Sequence, residues 1–149
     1  AVTLGTLDGA NVEMHEAVGD ENIILFGMTT PEVNALKRSG YHPQVFYNNN
    51  PKIRMALDEM RRGIGGFSFS DIVDSFLKVD PYMVLADFDS YAAAQQKAVG
   101  LYHDAEHWNR MALINIANSG RFAADRAIRE YAQNIWHASP LPSAEGKKA

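Results

Sequence analysis

The sequence predicts an α/β fold that is mostly helical with two short parallel strands, and three observations point to it. The opening stretch places an apolar run at residues 2–6 before the Asp8-Gly9 turn, with Asn11 positioned to cap a helix from Val12. A second apolar run, Ile23-Ile24-Leu25-Phe26, returns after roughly two helical turns and Gly19. So short a helical connection between buried strands is a βαβ crossover in a parallel sheet. The third observation is the remainder of the chain, a succession of helical stripes and caps. Ligands of parallel sheets sit outside the carboxyl ends of the strands. The candidate cleft-lining residues are therefore Thr6, Asp8, Gly9 and Asn11.

The helices follow in order. Thr30-Pro31-Glu32 supplies a capping hydroxyl, an early proline and an early carboxylate, and Gly40 stops that helix. Residues 41–47 are irregular or briefly helical. Asn50-Pro51 starts a helix carrying Ile53, Met55, Ala56, Leu57 and Met60 that ends near Gly63. The Gly63-Ile64-Gly65-Gly66 cluster lacks a preceding strand and a following Gly-Lys-Ser/Thr, so it reads as a flexible joint rather than a phosphate loop. Phe69, Ile72, Val73, Phe76 and Leu77 form one apolar helical stripe closed by Asp80-Pro81. Residues 82–86 read as briefly extended. Asp89 then caps a helix with Tyr91, Ala94, Ala98, Leu101 and Tyr102 inward. Asp104 caps the next, with Trp108, Met111, Ala112, Asn115 and Ile116 inward and Gly120 as its stop. The last helix carries Ile128, Tyr131, Ala132, Ile135 and Trp136 on one side, a stripe that must pack on something. Residues 139–149, rich in proline and ending in two lysines and an alanine, read as a disordered tail after one folded unit at residues 1–138.

Composition bounds the function. A chain of 149 residues with 46% apolar and 21% charged residues is ordinary globular usage. The formal net charge of −4, with scattered Lys and Arg, gives no extended basic patch and argues against nucleic acid as a partner. No apolar run approaches the roughly 20 residues needed to span a membrane. The absence of cysteine suits a reducing cytoplasm. The chain starts at Ala1, without Met and inside a predicted strand, and two parallel strands cannot satisfy their own outer edges. Both features read as those of a fragment.

Two motifs carry candidate chemistry. His103-Asp104-Ala105-Glu106-His107 spells the H-x-x-E-H of inverted zinc peptidases, which need both histidines on one helical face. With Asp104 as a helix cap, His103 lies outside the helix and the pair does not converge. A solvated helix start is the simpler reading, and no metal is expected. Asp8 stays open between two roles: a turn carboxylate bonded to nearby backbone N–H groups, or a pocket residue lining a sugar or cofactor site with Asn11. Asp71 with Asp74 and Glu13 with Glu16 are read as exposed helical faces. Arg121 with Asp125 and Arg126 with Glu130 have the spacing of helical ion pairs that help fix the last helix.

Four collinear motifs add a family resemblance: GTLDGANVEM at 5–14, NIILFGM at 22–28, DPYMVLADFDSY at 80–91 and W-N-R-M-x-L-x-N-I-A-x-S-G-R-F-x-x-D-R-x-I-R-E-Y-A-x-x-I-W at 108–136. In this order they resemble the closing part of the glycogen (α-1,4-glucan) phosphorylases. The resemblance implies the carboxyl-terminal part of a Rossmann-like domain in a two-domain glycosyltransferase of GT-B type. It implies transfer of glucosyl units from glycogen, starch or maltodextrin to inorganic phosphate, giving glucose 1-phosphate, and a homodimer when full length. It also implies pyridoxal phosphate as the cofactor of the full-length parent. The lysine that holds it stands in a Gly-rich segment ending in Asn-Met-Lys, upstream of the residues that match Ala1 to Gly5. None of Lys37, Lys52, Lys78, Lys97, Lys147 or Lys148 has that context. With the anchoring lysine expected upstream of Ala1, no cofactor is expected on this chain, no catalytic residue is transferred to it, and it is expected to be inactive alone. The alternative is a non-catalytic helical interaction module derived from that domain. One departure is Ala123-Ala124, where the family usually carries Ser-Ser, so the start of the last helix lacks a capping hydroxyl.

Zinc titration calorimetry checks the competing metal motif: no heat is expected at micromolar metal, and a stoichiometric heat would reinstate it.

Overall fold

In the computed structural model, which describes residues 2–139, the parallel pair lies at the start of the chain. β1 (Thr3–Thr6) pairs with β2 (Ile23–Phe26), Thr3 opposite Ile23 and Thr6 opposite Phe26. α1 (Ala10–Val18) is the crossover between them. Ala1, expected within the first strand and just past the cofactor-bearing segment, lies outside the described residues, and β1 begins at Thr3. The tail expected at 139–149 also lies outside them from residue 140 onward.

α1 begins earlier than expected. Gly9, at φ 47, is its cap residue and no side chain caps it. Asn11 is inside the helix instead, and its amide donates back to the Thr6 carbonyl at 2.8 Å. That bond takes the place of the local cap and gives the carbonyl at the end of β1 a second donor beside Asp8 N.

α2 (Thr30–Ser39) and α3 (Pro43–Asn49) follow β2. The capping hydroxyl of α2 belongs to Thr29 rather than Thr30: Glu32 accepts from Thr29 N at 2.7 Å and from its hydroxyl at 2.6 Å, closing a capping box. Asn50 caps α4 (Pro51–Arg62) as expected, accepting from Lys52 N and Ile53 N. The glycine cluster after α4 is a tight antiparallel turn, with Ile64 and Phe67 exchanging backbone hydrogen bonds of 2.9 and 3.1 Å.

α5 (Ser70–Lys78) leads to the largest correction. Residues 82–86 are not extended and Asp89 is no cap, because α6 already runs from Val84 to Tyr102. Its cap is Asp80. That carboxylate accepts from Val84 N at 3.0 Å and Leu85 N at 2.9 Å, and also from the Tyr41 hydroxyl. Asp80 and Met83 both take positive φ, 36° and 54°, which reverses the chain tightly enough to bring the carboxylate over the helix end. Sequence reading favoured Asp89 because it directly precedes an apolar stripe, whereas the cap lies four residues ahead of the helix.

α7 (Ala105–Asn118) is capped by Asp104, which accepts from His107 N at 3.1 Å. It ends at Asn118 and continues as a 3-10 turn over Ser119–Phe122, so Gly120 lies within that turn rather than stopping the helix. α8 (Ala124–Asn134) has no side-chain cap. Arg126 pairs with Glu130. Its neighbour pair fails, since among the described residues Arg121 and Asp125 form no ion pair, and Arg126 Nε instead donates to the Arg121 carbonyl at 2.6 Å.

The core has two parts joined by α6. Ile53, Leu57, Val73 and Leu85 form a helical core among α4, α5 and the first turn of α6, while Ile24, Ala94 and Met111 form a second against the sheet. Burying each large side chain is worth about 1.5–3 kcal/mol. The outer positions of the expected stripes stay in solvent: Tyr102 and Ile116 are mostly exposed, as are Ile128, Ile135 and Trp136 of the last stripe.

Urea unfolding should show Asp80→Ala losing about 3 kcal/mol, since it strands buried donors, and Tyr41→Phe losing about 1 kcal/mol. Burial, then the hydrogen bond and charge of Asp80, push the Tyr41 phenol well above its ordinary 10.0. The folded state therefore keeps that proton longer than the unfolded chain does. Its contribution is complete below pH 10.0 and is lost as pH rises toward the folded value. Stability should accordingly decline above about pH 10, less steeply in Tyr41→Phe, as read from urea midpoints across that range.

Candidate functional site

A cavity of about 720 Å³ opens at the carboxyl ends of β1 and β2. Three walls form it. The loop after β1 contributes Thr6, Leu7 and Asp8; the end of β2 and one face of α2 contribute Phe26, Met28, Val33 and Lys37; the start of α6 contributes Asp87, Phe88 and Tyr91. Phe26 and Tyr91 meet edge to face with ring centroids 5.3 Å apart, giving the cavity a firm apolar floor.

The wall between β2 and α2 is fastened from α6. Asp87 accepts from Met28 N at 2.8 Å and Ser90 accepts from Gly27 N at 2.9 Å. Gly27 takes φ 83, and a Cβ there would come within 2.9 Å of Thr6 Cγ2 and 3.0 Å of an Asp87 oxygen. Only glycine lets β1, β2 and α6 converge so closely. A helix beginning at Asp89, as the local cap signal suggests, leaves Asp87 outside it and hides its pairing with Ser90. Starting α6 at Val84 puts them three residues apart on one helical face.

The four sequence-predicted residues divide. Thr6 and Asp8 line the cavity, and the Thr6 hydroxyl donates to Asp8 Oδ1 at 3.0 Å. Gly9 caps α1, and Asn11 lies behind the loop on the Thr6 carbonyl. Neither borders the cavity. No backbone N–H bonds the Asp8 carboxylate among the described residues, so the turn-carboxylate role considered for it is not the one it fills here.

The zinc motif is split as its spacing implies. His103 follows the last residue of α6, Asp104 caps α7, and His107 faces a hollow of about 290 Å³ with Glu21, Glu106 and Arg110. Among the described residues no three His, Cys, Asp or Glu side chains converge as metal ligands.

An apolar floor with hydroxyl, carboxylate and amide groups at the rim suits a polyhydroxylated ring, which offers C–H faces to the floor and O–H donors to the carboxylates. A pyridoxal phosphate fits poorly. Lys37 is exposed, Asp8 and Asp87 share its cavity, and Lys52, Lys78 and Lys97 are exposed on other helices. A Schiff-base lysine requires desolvation, and a phosphate requires donors rather than carboxylates.

The family model for carbohydrate phosphorylases matches residues 1–138. The chain is 46% identical over 147 residues to the glycogen phosphorylase of Synechocystis sp., covering 95% of this chain and 17% of that protein. It is 42% identical over 146 residues to the liver form of Homo sapiens glycogen phosphorylase, and 40% identical over 146 residues to the muscle form, in each case covering 94% of this chain and 17% of the relative. The chain thus spans 17% of the length of these relatives. Matched over nearly all of its length, it belongs to the carbohydrate phosphorylase family.

Proposed function

We propose that residues 1–138 are the carboxyl-terminal part of the cofactor-bearing Rossmann-like domain of an α-1,4-glucan phosphorylase, a two-domain glycosyltransferase of GT-B type. The parent enzyme transfers glucosyl units from glycogen, starch or maltodextrin to inorganic phosphate, giving glucose 1-phosphate, and works in the cytoplasm as a homodimer. The observation that carries this reading is the match over residues 1–138, joined to the cavity at the carboxyl edge of a parallel strand pair.

In this reading the turn after β1 borders the glucan cleft through Thr6 and Asp8, with Gly9 and Asn11 supporting it from behind. Thr6 and Asp8 supply its polar rim and Phe26 and Tyr91 its apolar floor. Pyridoxal phosphate belongs to the parent, anchored by a lysine upstream of Ala1, and the exposed positions of Lys37, Lys52, Lys78 and Lys97 support that reading. The remaining domains cover the free sheet edges and the apolar stripe of α8. The chain alone binds no cofactor and performs no phosphorolysis.

Two measurements test this. The purified chain, mixed with pyridoxal phosphate, glycogen and inorganic phosphate, should show neither bound-cofactor absorbance nor glucose 1-phosphate; either signal would contradict the assignment of the anchoring lysine. A chimera with this chain in place of the matching 147 residues of the Synechocystis enzyme should release glucose 1-phosphate. A folded, cofactor-loaded chimera without activity would favour a non-catalytic helical interaction module instead.

A further inference from the structure

We infer that Asp8 orients the glucan by accepting hydrogen bonds from glucosyl hydroxyls in the cavity, and that Asn11 is the positioning residue that holds it there. The inference rests on the phosphorylase reading above.

A carboxylate in an Asp-Gly turn ordinarily has local work, either bonding the turn's own N–H groups or capping the next helix. Asp8 does neither. α1 has no side-chain cap, and the hydrogen bond Asp8 makes among the described residues is accepted by Oδ1 from the Thr6 hydroxyl. Oδ2 accepts no hydrogen bond among the described residues, and Asp8 lines the cavity. An ionised carboxylate accepts several hydrogen bonds, and vicinal sugar hydroxyls supply donors at the spacing it needs.

The loop behind it is over-determined. The Thr6 carbonyl accepts from Asp8 N at 2.9 Å and from the Asn11 amide at 2.8 Å, and Asn11 N donates to the Asp8 carbonyl at 3.0 Å. Gly5 makes room for this arrangement, since a Cβ there would come within 2.5 Å of Asn11 Nδ2. Gly9, at φ 47, then turns the chain into α1. Asn11 therefore holds both residues of the rim, Thr6 through its carbonyl and Asp8 through its backbone, without touching the cavity itself. The loop is thus preorganised, which spares a ligand the cost of ordering it.

The test uses the Synechocystis chimera, with maltoheptaose and inorganic phosphate as substrates. Asp8→Asn and Asp8→Ala should each raise the KM for maltoheptaose about tenfold or more. The KM for phosphate, the cofactor content and the Tm should stay unchanged. Asn11→Ala should raise the same KM, and the double variant Asn11→Ala with Asp8→Ala should be no worse than Asp8→Ala alone, which general loosening of the fold would not produce. An active chimera in which Asp8→Ala leaves the KM for maltoheptaose within twofold overturns the inference and leaves the phosphorylase reading standing. Additive losses in the double variant overturn the role of Asn11. A parent chimera that is folded, loaded and inactive overturns the phosphorylase reading and this inference with it.

Discussion

The carboxylate of Asp80 is withdrawn from solvent, 1% exposed, yet both of its oxygens are occupied by hydrogen bonds. A buried carboxylate without partners would be strongly destabilising, and here the first turn of α6 and the Tyr41 hydroxyl satisfy it together. The consequence is a fixed origin for a 19-residue helix. At 1.5 Å per residue, α6 reaches on the order of 28 Å, far enough to enter both cores. Leu85 packs with Ile53, Leu57 and Val73 at one end, while Ala94 packs with Ile24 and Met111 farther along. Tyr41 ties the link between α2 and α3 to the same point.

The cavity follows from that placement. Because α6 starts at Val84, its first turns carry Asp87 and Ser90 to the backbone of Gly27 and Met28, and Tyr91 to the ring of Phe26. The strand end is thereby fixed at a distance that glycine alone permits at position 27. On the opposite side, Asn11 fixes the end of β1. Two independent side-chain clamps, each reaching a backbone group at a strand end, give the cavity walls their shape. Walls held in this way are ordered before any ligand arrives.

The same architecture leaves surfaces unpaired among the described residues. β1 and β2 bond only to each other, so each presents one free edge. α8 holds Tyr131 stacked on Trp136 at 5.8 Å while Ile128, Ile135 and Trp136 face solvent. Exposed apolar groups clustered in this way are typical of surfaces that meet other protein.

Much of the fold was legible because it depends on local chemistry. The parallel pair and its crossover, the Asn50 and Asp104 caps, the Gly40 and Gly63 stops, and the split of His103 from His107 all follow from periodicity and short-range hydrogen bonding. The family, too, was written in the motifs. What the sequence did not settle were the cases in which a polar side chain took a partner other than the one its local helix signal favours. Asn11 left its capping role for the Thr6 carbonyl, Asp80 reached forward across a turn with two positive-φ residues, and Asp87 and Ser90 bonded backbone some sixty residues away. Local propensity ranks the commonest roles of a residue but carries no information about which donor or carbonyl the folded chain places beside it. Tertiary packing decides that, since an unsatisfied buried donor costs more than a lost cap.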